Sequence, residues 1–493
     1  MTEHERPTVG ELPTPTSEDS HTARALTGLA WAMWAASLGA LVAGLRGVGP
    51  VELGGIVAVD GLTVVMWATV TFFSGVVHSY SRRYMAGSRS RDRFLGRVFA
   101  FTLVVLVLAA ADHFFLFAGA WLAMGLVMAD LIGHVKGWPQ AQAAAAVARR
   151  YFLASTGLLA AALAALWWTT GATTVSGVAS ALGNDPSTVV LAAAGALVLA
   201  AMVQSALVPF HTWLLSSMTA PTPASALMHA GFVNAGGVLL VRFAPVVTVD
   251  TGVMLAIAAV GAASAIAGKL MKTVQTDVKG TLACSTTGQM GFMIMQAGLG
   301  FFGAAITHLV LHGFYKAYQF LAAGSNVTHE HPDANHRGGP GVLGTAVALA
   351  TGLAAGAVFA LLTGKGTSLG GGLVLGALVA LTVTHAARDV VGEGGVPAPL
   401  RYGAVPAVAL PAIAAYALVY RVVEGLLAGL PAVGQPVELT AVHGVVFAAF
   451  FAAYLAVETG AYRHSERLYV ALLNATQPSA DTLLTTTEEY NEY

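Results

Sequence analysis

Three residues at a fixed spacing, His308-x3-His312-x3-Lys316, carry the sharpest chemical signal in the chain. Residues four apart share one helical face, so two imidazoles and an ammonium project in a row from an otherwise apolar segment. A charged amine at the centre of a bilayer costs about 3 kcal/mol on insertion scales, which places Lys316 toward a bundle interior or water. Desolvation favours the neutral form of an amine. Exchange between neutral and charged forms beside two imidazoles is the chemistry of a proton relay. A second reading stays open, in which Lys316 snorkels to an interface and the histidines bond neighbouring carbonyls. His229 extends the same path or is a satisfied structural histidine. Lys279, two residues after Asp277, marks a mouth of the path or a solvated helix end. Asp112 and Asp130 flank one apolar stretch near its ends, as path members or as interfacial groups. Glu424 and Glu458 lie in later apolar stretches with no role assigned.

Other chemistries are thinly represented. The single cysteine, Cys284, excludes an internal disulfide and leaves no Cys/His cluster with the spacing of a zinc or iron–sulfur site. There is no dinucleotide fingerprint and no phosphate-binding glycine loop. The chain is therefore expected to hold no cofactor, and not to catalyse bond chemistry alone. A net charge of −1 argues against a nucleic-acid ligand.

The elements that must position these residues are membrane helices. Hydrophobic residues make up 56% of 493 and charged residues 10%, against about 25% charged in a soluble chain. Mean hydropathy is +0.70. Apolar stretches recur near 25–45, 56–79, 94–110, 112–133, 150–169, 188–208, 224–243, 251–270, 280–298, 302–323, 342–363, 370–388, 403–428 and 439–460. Most reach the roughly 20 residues that cross a bilayer as a helix. The expected fold is an all-α polytopic bundle of about 14 spans over residues 23–461, with a polar N-terminal tail (1–22) and a C-terminal tail (462–493). The first 22 residues are too polar and acidic for a signal peptide. Basic residues gather in alternate loops: Arg82, Arg83, Arg89, Arg91, Arg93 and Arg97, then Lys136, Arg149 and Arg150, then Lys269, Lys272 and Lys279. Arg46 and Lys365 are the main exceptions. The positive-inside rule then puts both termini in the cytoplasm.

Val208-Pro209-Phe210-His211 sets a proline inside an apolar stretch, and Pro221 and Pro223 follow. Each removes a backbone donor and clashes with the preceding turn, so a broken helix is expected there. Broken helices in membranes are tolerated where protein or a wet cavity satisfies the freed carbonyls, and often mark ion routes. A static packing kink is the alternative. The C-terminal tail has a short amphipathic piece around 467–473, which either docks a partner or is disordered.

Five blocks resemble the antiporter-like, proton-pumping subunits of respiratory complex I and of the multisubunit cation/proton antiporters. They are Asp60-Gly61-Leu62 with Val70-Thr71, His78, Tyr80-Ser81 and Tyr84-Met85; Pro209-x-His211-Thr212-Trp213-Leu214; Pro221-Thr222-Pro223-x-Ser225-Ala226-Leu227-x-His229-Ala230; Gln275-x-Asp277-x-Lys279-x3-Ala283-x-Ser285-Thr286-x2-Gln289-x-Gly291; and His308-x3-His312-x-Phe314-x-Lys316-Ala317. The resemblance spans residues 55–330 and implies an antiporter-like fold with inverted repeats. Family members usually carry a glutamate after the tryptophan of the fifth helix and a lysine five residues before the proline of the broken seventh. Here those positions are Leu122 and Gln204, and 342–388 lacks the second proline break with its lysine. Only His308, His312, Lys316, His229 and Lys279 carry over residue by residue. The run from Met228 to Gly237, continuing to Arg242-Phe243-Ala244-Pro245, resembles the membrane subunits of DAB inorganic-carbon accumulation complexes. That resemblance implies a subunit of the prokaryotic plasma (cell inner) membrane that conducts H+ or Na+. It also implies a large soluble partner on the cytoplasmic face, zinc-binding and carbonic-anhydrase-like (DabA type), which hydrates CO2 to bicarbonate. A subunit of a Na+/H+ antiporter or of a complex I-like NADH-quinone oxidoreductase is the alternative.

Overall fold

The computed structural model describes residues 20–183, 186–326, 341–365, 371–391, 397–433, 440–460 and 464–483. Most of the N-terminal tail and the last ten residues lie outside that set. In chain order the helices are α1 (His21–Leu45), α2 (Gly61–Tyr84), α3 (Arg91–Ala110), α4 (Phe114–Ile132), α5 (Pro139–Thr170), α6 (Val175–Ala181), α7 (Thr188–Gln204), α8 (Thr212–Ser216), α9 (Thr222–Ala230), α10 (Ala235–Arg242), α11 (Ala244–Val247), α12 (Thr251–Lys272), α13 (Val278–Gly298), α14 (Phe302–Leu321), α15 (Gly341–Thr363), α16 (Gly371–Val391), α17 (Ala398–Leu427), α18 (Ala441–Glu458) and α19 (Glu466–Ala475). Every one of the fourteen apolar stretches carries a helix, with α9 and α10 sharing one. Among the described residues nine helical segments are long and apolar enough to cross a membrane by length and composition. Two that fall outside that group, α13 and α14, hold the serines, threonines, glutamines, histidines and lysine on which the site is built. The chain is a helical, multi-pass membrane protein.

Side-chain caps start many of these helices. Asp60, Thr174, Ser187, Asp250 and Asp277 each accept a backbone N–H of the first turn, which satisfies donors that lipid could not. The stretch expected to begin near 56 instead makes a short antiparallel hairpin, β1 (Val51–Leu53) with β2 (Val57–Val59), before α2 starts at Gly61. The hairpin bridges to Ala111 between α3 and α4, and so fixes the end of the bundle opposite the arginine-rich loop 82–97. We call these the opposite end and the basic end.

A largely covered ion pair closes the opposite end. The Arg242 guanidinium pairs with Asp60 and donates to Ala109 O (2.6 Å) and Thr63 Oγ1 (3.0 Å), joining α10, α2 and α3. Its side chain is 8% exposed, and that of Asp60 15%. Removing one partner strands the other charge away from water, so Arg242→Ala is expected to cost about 3 kcal/mol. The check is the melting temperature of detergent-solubilised protein, with the Arg242→Ala/Asp60→Ala double variant recovering part of the loss.

The main core runs through α2–α5, α7, α9, α10, α13 and α14; a second cluster joins α12–α14 to α15–α18. Glycines set the closest seam. A Cβ at Gly268 would lie 2.3 Å from Gly288 N, one at Gly291 2.4 Å from Ala265 N, and one at Gly298 2.3 Å from Ala258 N. Backbone therefore touches backbone along α12 and α13, as small residues permit between membrane helices.

At the break, α7 stops at Gln204. Ala206 is left-handed (φ 52°) and the Val208–Pro209 peptide is cis. The freed Val203 O is satisfied within the protein by Trp213 Nε1 (2.9 Å), and Ser205 Oγ ties the break to the segment after α9 by donating to Val233 O (2.7 Å). Pro221 and Pro223 start a helix, standing at the cap and first turn of α9, where no N–H is needed. A second interruption, which the sequence did not signal, separates α9 from α10. The chain turns at Gly231 and makes a 3-10 turn over Phe232–Asn234, held by Asn234 Nδ2 donating to Ala230 O (2.7 Å). The amphipathic C-terminal piece folds as α19 and docks at the basic end. Ala475 O accepts from His211 Nε2 (2.9 Å), Ser479 N donates to Ser216 Oγ (3.0 Å), and Arg150 pairs with Asp481 (2.9 Å).

Candidate functional site: a buried lysine and histidine row

The site lies where the interrupted α9 meets α13 and α14. Lys316 is fully buried, and its Nζ donates to Leu282 O (2.9 Å). Thr286 Oγ1 donates to the same carbonyl (2.9 Å), so it accepts from His229 Nδ1 (2.9 Å). This network assigns the proton of His229 to Nδ1. The ring is stacked on Phe320 at 4.3 Å, which fixes its plane. One helical carbonyl thus joins Lys316 to His229 through Thr286, a residue that the sequence showed only as part of a motif.

His312 and His308 continue the row along α14. Their ring centroids are 5.9 Å apart, close to the roughly 6 Å rise of four helical residues, with the rings 19° from parallel. Neither ring nitrogen of His312, nor Nε2 of His308 or of His229, has a hydrogen-bond partner among the described residues. Buried polar atoms are usually paired, because an unmet one costs about 1–3 kcal/mol. The four unmatched atoms sit on the three histidines of α9 and α14, and with 5.9 Å between centroids the His308 and His312 rings do not bond each other.

Lys279 sits at the basic end, where Nζ donates to Met218 O (3.2 Å) and Ala220 O (3.0 Å) of the segment entering α9. Asp277 caps α13 through Gly280 N (2.7 Å). The other acids lie off the row. Asp112 is buried at the opposite end and accepts Ser176 N (2.9 Å) and Ser176 Oγ (2.6 Å), tying α6 down. Asp130 is half-exposed at the basic end and pairs with Arg149 (3.4 Å). Gln204 is buried with Nε2 unmatched, while beside Leu122 the Trp121 indole donates to Ser155 Oγ (3.2 Å). A further pair escaped sequence reading: Lys269 Nζ meets His385 Nε2 (2.5 Å) across α12 and α16, beside a cavity of about 230 Å³.

A loop histidine outside the spans gives a pH handle. Arg97 Nη1 donates to His134 Nδ1 (3.2 Å), and His134 Nε2 donates to Ser90 Oγ (2.9 Å), a neutral imidazole bonded on both sides. Burial first, then the Arg97, Arg93 and Lys136 charges, hold its pKa down to about 4. In the unfolded chain it titrates near 6.5, so the unfolded state takes up the proton first. Its contribution to stability is full above about pH 6.5 and is lost as pH falls toward 4. Melting temperature measured from pH 7 to 4.5 should therefore fall more steeply for the natural chain than for His134→Gln.

Comparison with known proteins agrees with this architecture. Residues 111–339 match the family model "NADH:quinone oxidoreductase/Mrp antiporter, TM", and residues 48–95 match "NADH-Ubiquinone oxidoreductase (complex I), chain 5 N-terminus". The matched residues resemble the antiporter-like membrane-subunit superfamily of complex I and the Mrp complexes. Within it, similar proteins include the probable inorganic carbon transporter subunit DabB1 of Halothiobacillus neapolitanus, 37% identical over 58% of this chain and 52% of that one. The probable inorganic carbon transporter subunit DabB of Hydrogenovibrio crunogenus is 35% identical over 55% and 53%. The NADH-quinone oxidoreductase subunit L of Mycobacterium tuberculosis is 32% identical over 57% and 45%. The chain spans about half the length of these curated relatives. Among solved structures, the Mrp complex from Dietzia sp. DQ12-45-1b shares the fold with a TM-score of 0.57 at 22% identity, over 92% of this chain and 55% of that one.

Proposed function

We propose that this chain is the cation-conducting membrane subunit of an energy-coupled uptake complex for dissolved inorganic carbon, with H+ or Na+ passing along Lys316, His312 and His308. The observation that carries the reading is the buried Lys316, bonded to Leu282 O and linked through Thr286 to His229, in a chain whose positions 122 and 204 hold no charge. A pump that needs a charged pair in its first half has lost that pair, and the DabB proteins are among the relatives. The basic end faces the cytoplasm of a prokaryotic cell, with both termini there, in keeping with the arginine-rich loops. A large soluble, zinc-binding, carbonic-anhydrase-like subunit of the DabA type docks on that face, where cation flow drives one-way hydration of CO2 to bicarbonate. Zinc belongs to that partner, because making hydroxide at neutral pH calls for a metal that lowers the pKa of its bound water.

The test is purification in mild detergent from the native membrane, with mass and metal analysis of whatever co-elutes. A large soluble zinc protein in fixed ratio supports the reading. Several small hydrophobic subunits without zinc would move the chain to a Na+/H+ antiporter or a complex I-like NADH-quinone oxidoreductase.

A further inference from the structure

Two features of the sequence stand outside the row: Lys365, a cation at the end where basic residues are otherwise rare, and Glu424, an acid in an apolar stretch. They meet. Lys365 Nζ lies 2.8 Å from Glu424 Oε1, and the Tyr420 hydroxyl donates to the same oxygen (3.0 Å). The pair is a third exposed, 37% and 39%, but Tyr420 is only 2% exposed and points the arrangement inward. Tyr416, Tyr420 and Glu424 follow at intervals of four and so share one face of α17, as the row does on α14. The two rows lie side by side. Glu424 packs at Gly303, near the start of α14, and Tyr416 lines a cavity of about 240 Å³ together with His308 and Gln296. The Gln296 amide faces the Tyr416 hydroxyl. Polar groups thus stand at one-turn intervals from the surface at the opposite end to the cavity that the outer histidine of the row lines.

An exposed ion pair alone is worth about 0–1 kcal/mol, so a purely structural account gives little reason for an acid, a lysine and two tyrosines to align here. We propose that Glu424 is the proton-uptake site at the opposite face of the membrane, with Lys365 as its displaceable counter-ion, and that Tyr420, Tyr416 and Gln296 join it to His308. The proposal rests on the conduction reading above. In the step, a hydronium ion gives a proton to the Glu424 carboxylate as Lys365 swings off. The resulting acid donates to the Tyr420 oxygen while Tyr420 releases its own proton toward the cavity, and the relayed proton ends on the His308 imidazole. Each hydroxyl regains what it gave, Glu424 returns to a carboxylate, and one positive charge has moved inward. The proton from Tyr420 passes by way of Tyr416, one helical turn along, and the cavity that Tyr416 lines has room for the waters that bridge it to His308.

The experiment uses the complex purified from its native membrane and reconstituted in vesicles, with proton flux read by a trapped pH dye. Glu424→Gln and Tyr420→Phe are each expected to lower the flux at least tenfold. A second measurement does not depend on activity. In a Cys284→Ser background, Glu424→Cys should react with a membrane-impermeant thiol reagent added at the opposite face, while Ala417→Cys, on the buried side of α17, should react from neither. Wild-type flux in Glu424→Gln overturns the proposal, as does a thiol at 424 that reacts only from the basic face. Natural complex that passes sodium but no protons overturns the proposal, and one that passes neither ion while position 424 reacts from the opposite face overturns the conduction reading and leaves the placement of the mouth standing.

Discussion

Lys316→Met should leave the bundle assembled and lower ion flux at least a hundredfold, a barrier increase of about 2.7 kcal/mol. Methionine keeps the unbranched stem that fills the space beside Leu282, so packing changes little. What disappears is the one amine on the row and its bond to Leu282 O. A neutral hydrogen bond is worth about 1 kcal/mol, and removing a buried ammonium relieves a desolvation cost of similar or larger size, so stability should hold or rise. Function and folding therefore separate in this variant. In a host that lacks carbonic anhydrase and expresses the full complex, Lys316→Met should abolish growth in air while the chain still reaches the membrane. Lys136→Met, at an exposed loop lysine, should change growth little. Full growth of the Lys316 variant would remove the row from any conduction mechanism.

Gly268→Leu and Gly291→Leu should yield no folded protein. Overpacking a core usually costs about 1–3 kcal/mol because side chains give way. At these two positions the obstruction is backbone on the facing helix, at 2.3 and 2.4 Å, and no rotamer change can move it. The only relief is separation of α12 from α13, which would also carry Leu282 and Thr286 away from Lys316 and His229. Size-exclusion chromatography in detergent is the check, with loss of the monodisperse peak expected for both. Gly195→Ala on α7 meets nothing within 4 Å and should be neutral or slightly stabilising, since alanine favours a helix by up to about 1 kcal/mol over glycine. A folded Gly268→Leu protein would mean that the seam is looser than backbone contact.

Hydropathy made the helices legible because lipid imposes a length and an apolar composition that loops do not meet. The break near Pro209 was legible for a similar reason, since proline cannot donate. Gly231 gave no such warning: glycine is common in these spans, and only the neighbouring Asn234 bond to Ala230 O shows that one of them stops a helix. The row itself was visible as His308, His312 and Lys316 at helical spacing, but its partners were not. Thr286 and Leu282 join through a hydroxyl and a backbone carbonyl on another helix, and a main-chain acceptor leaves no mark in the side-chain alphabet. The pairing of Asp60 with Arg242, 182 positions apart, was hidden for want of any local pattern. Tyr416, Tyr420 and Glu424 stood at helical spacing in plain view, but nothing local in the sequence ties them to Lys365, which comes from a different loop.

The docked C-terminal helix has a consequence for biosynthesis. The His211 imidazole finds its acceptor in Ala475, 264 residues further along, and Ser216 accepts from Ser479. The chain leaves the ribosome in order, so α7, α8 and the loop between them enter the membrane long before either contact exists. The break at Pro209 is thus held through most of translation by bonds such as those of Trp213 and Ser205, made within the earlier helices, and its last fastening waits until the stretch after α18 has emerged. A nascent chain stalled anywhere in the later spans carries an unfinished break, and completion of this end is a late event in the life of each molecule.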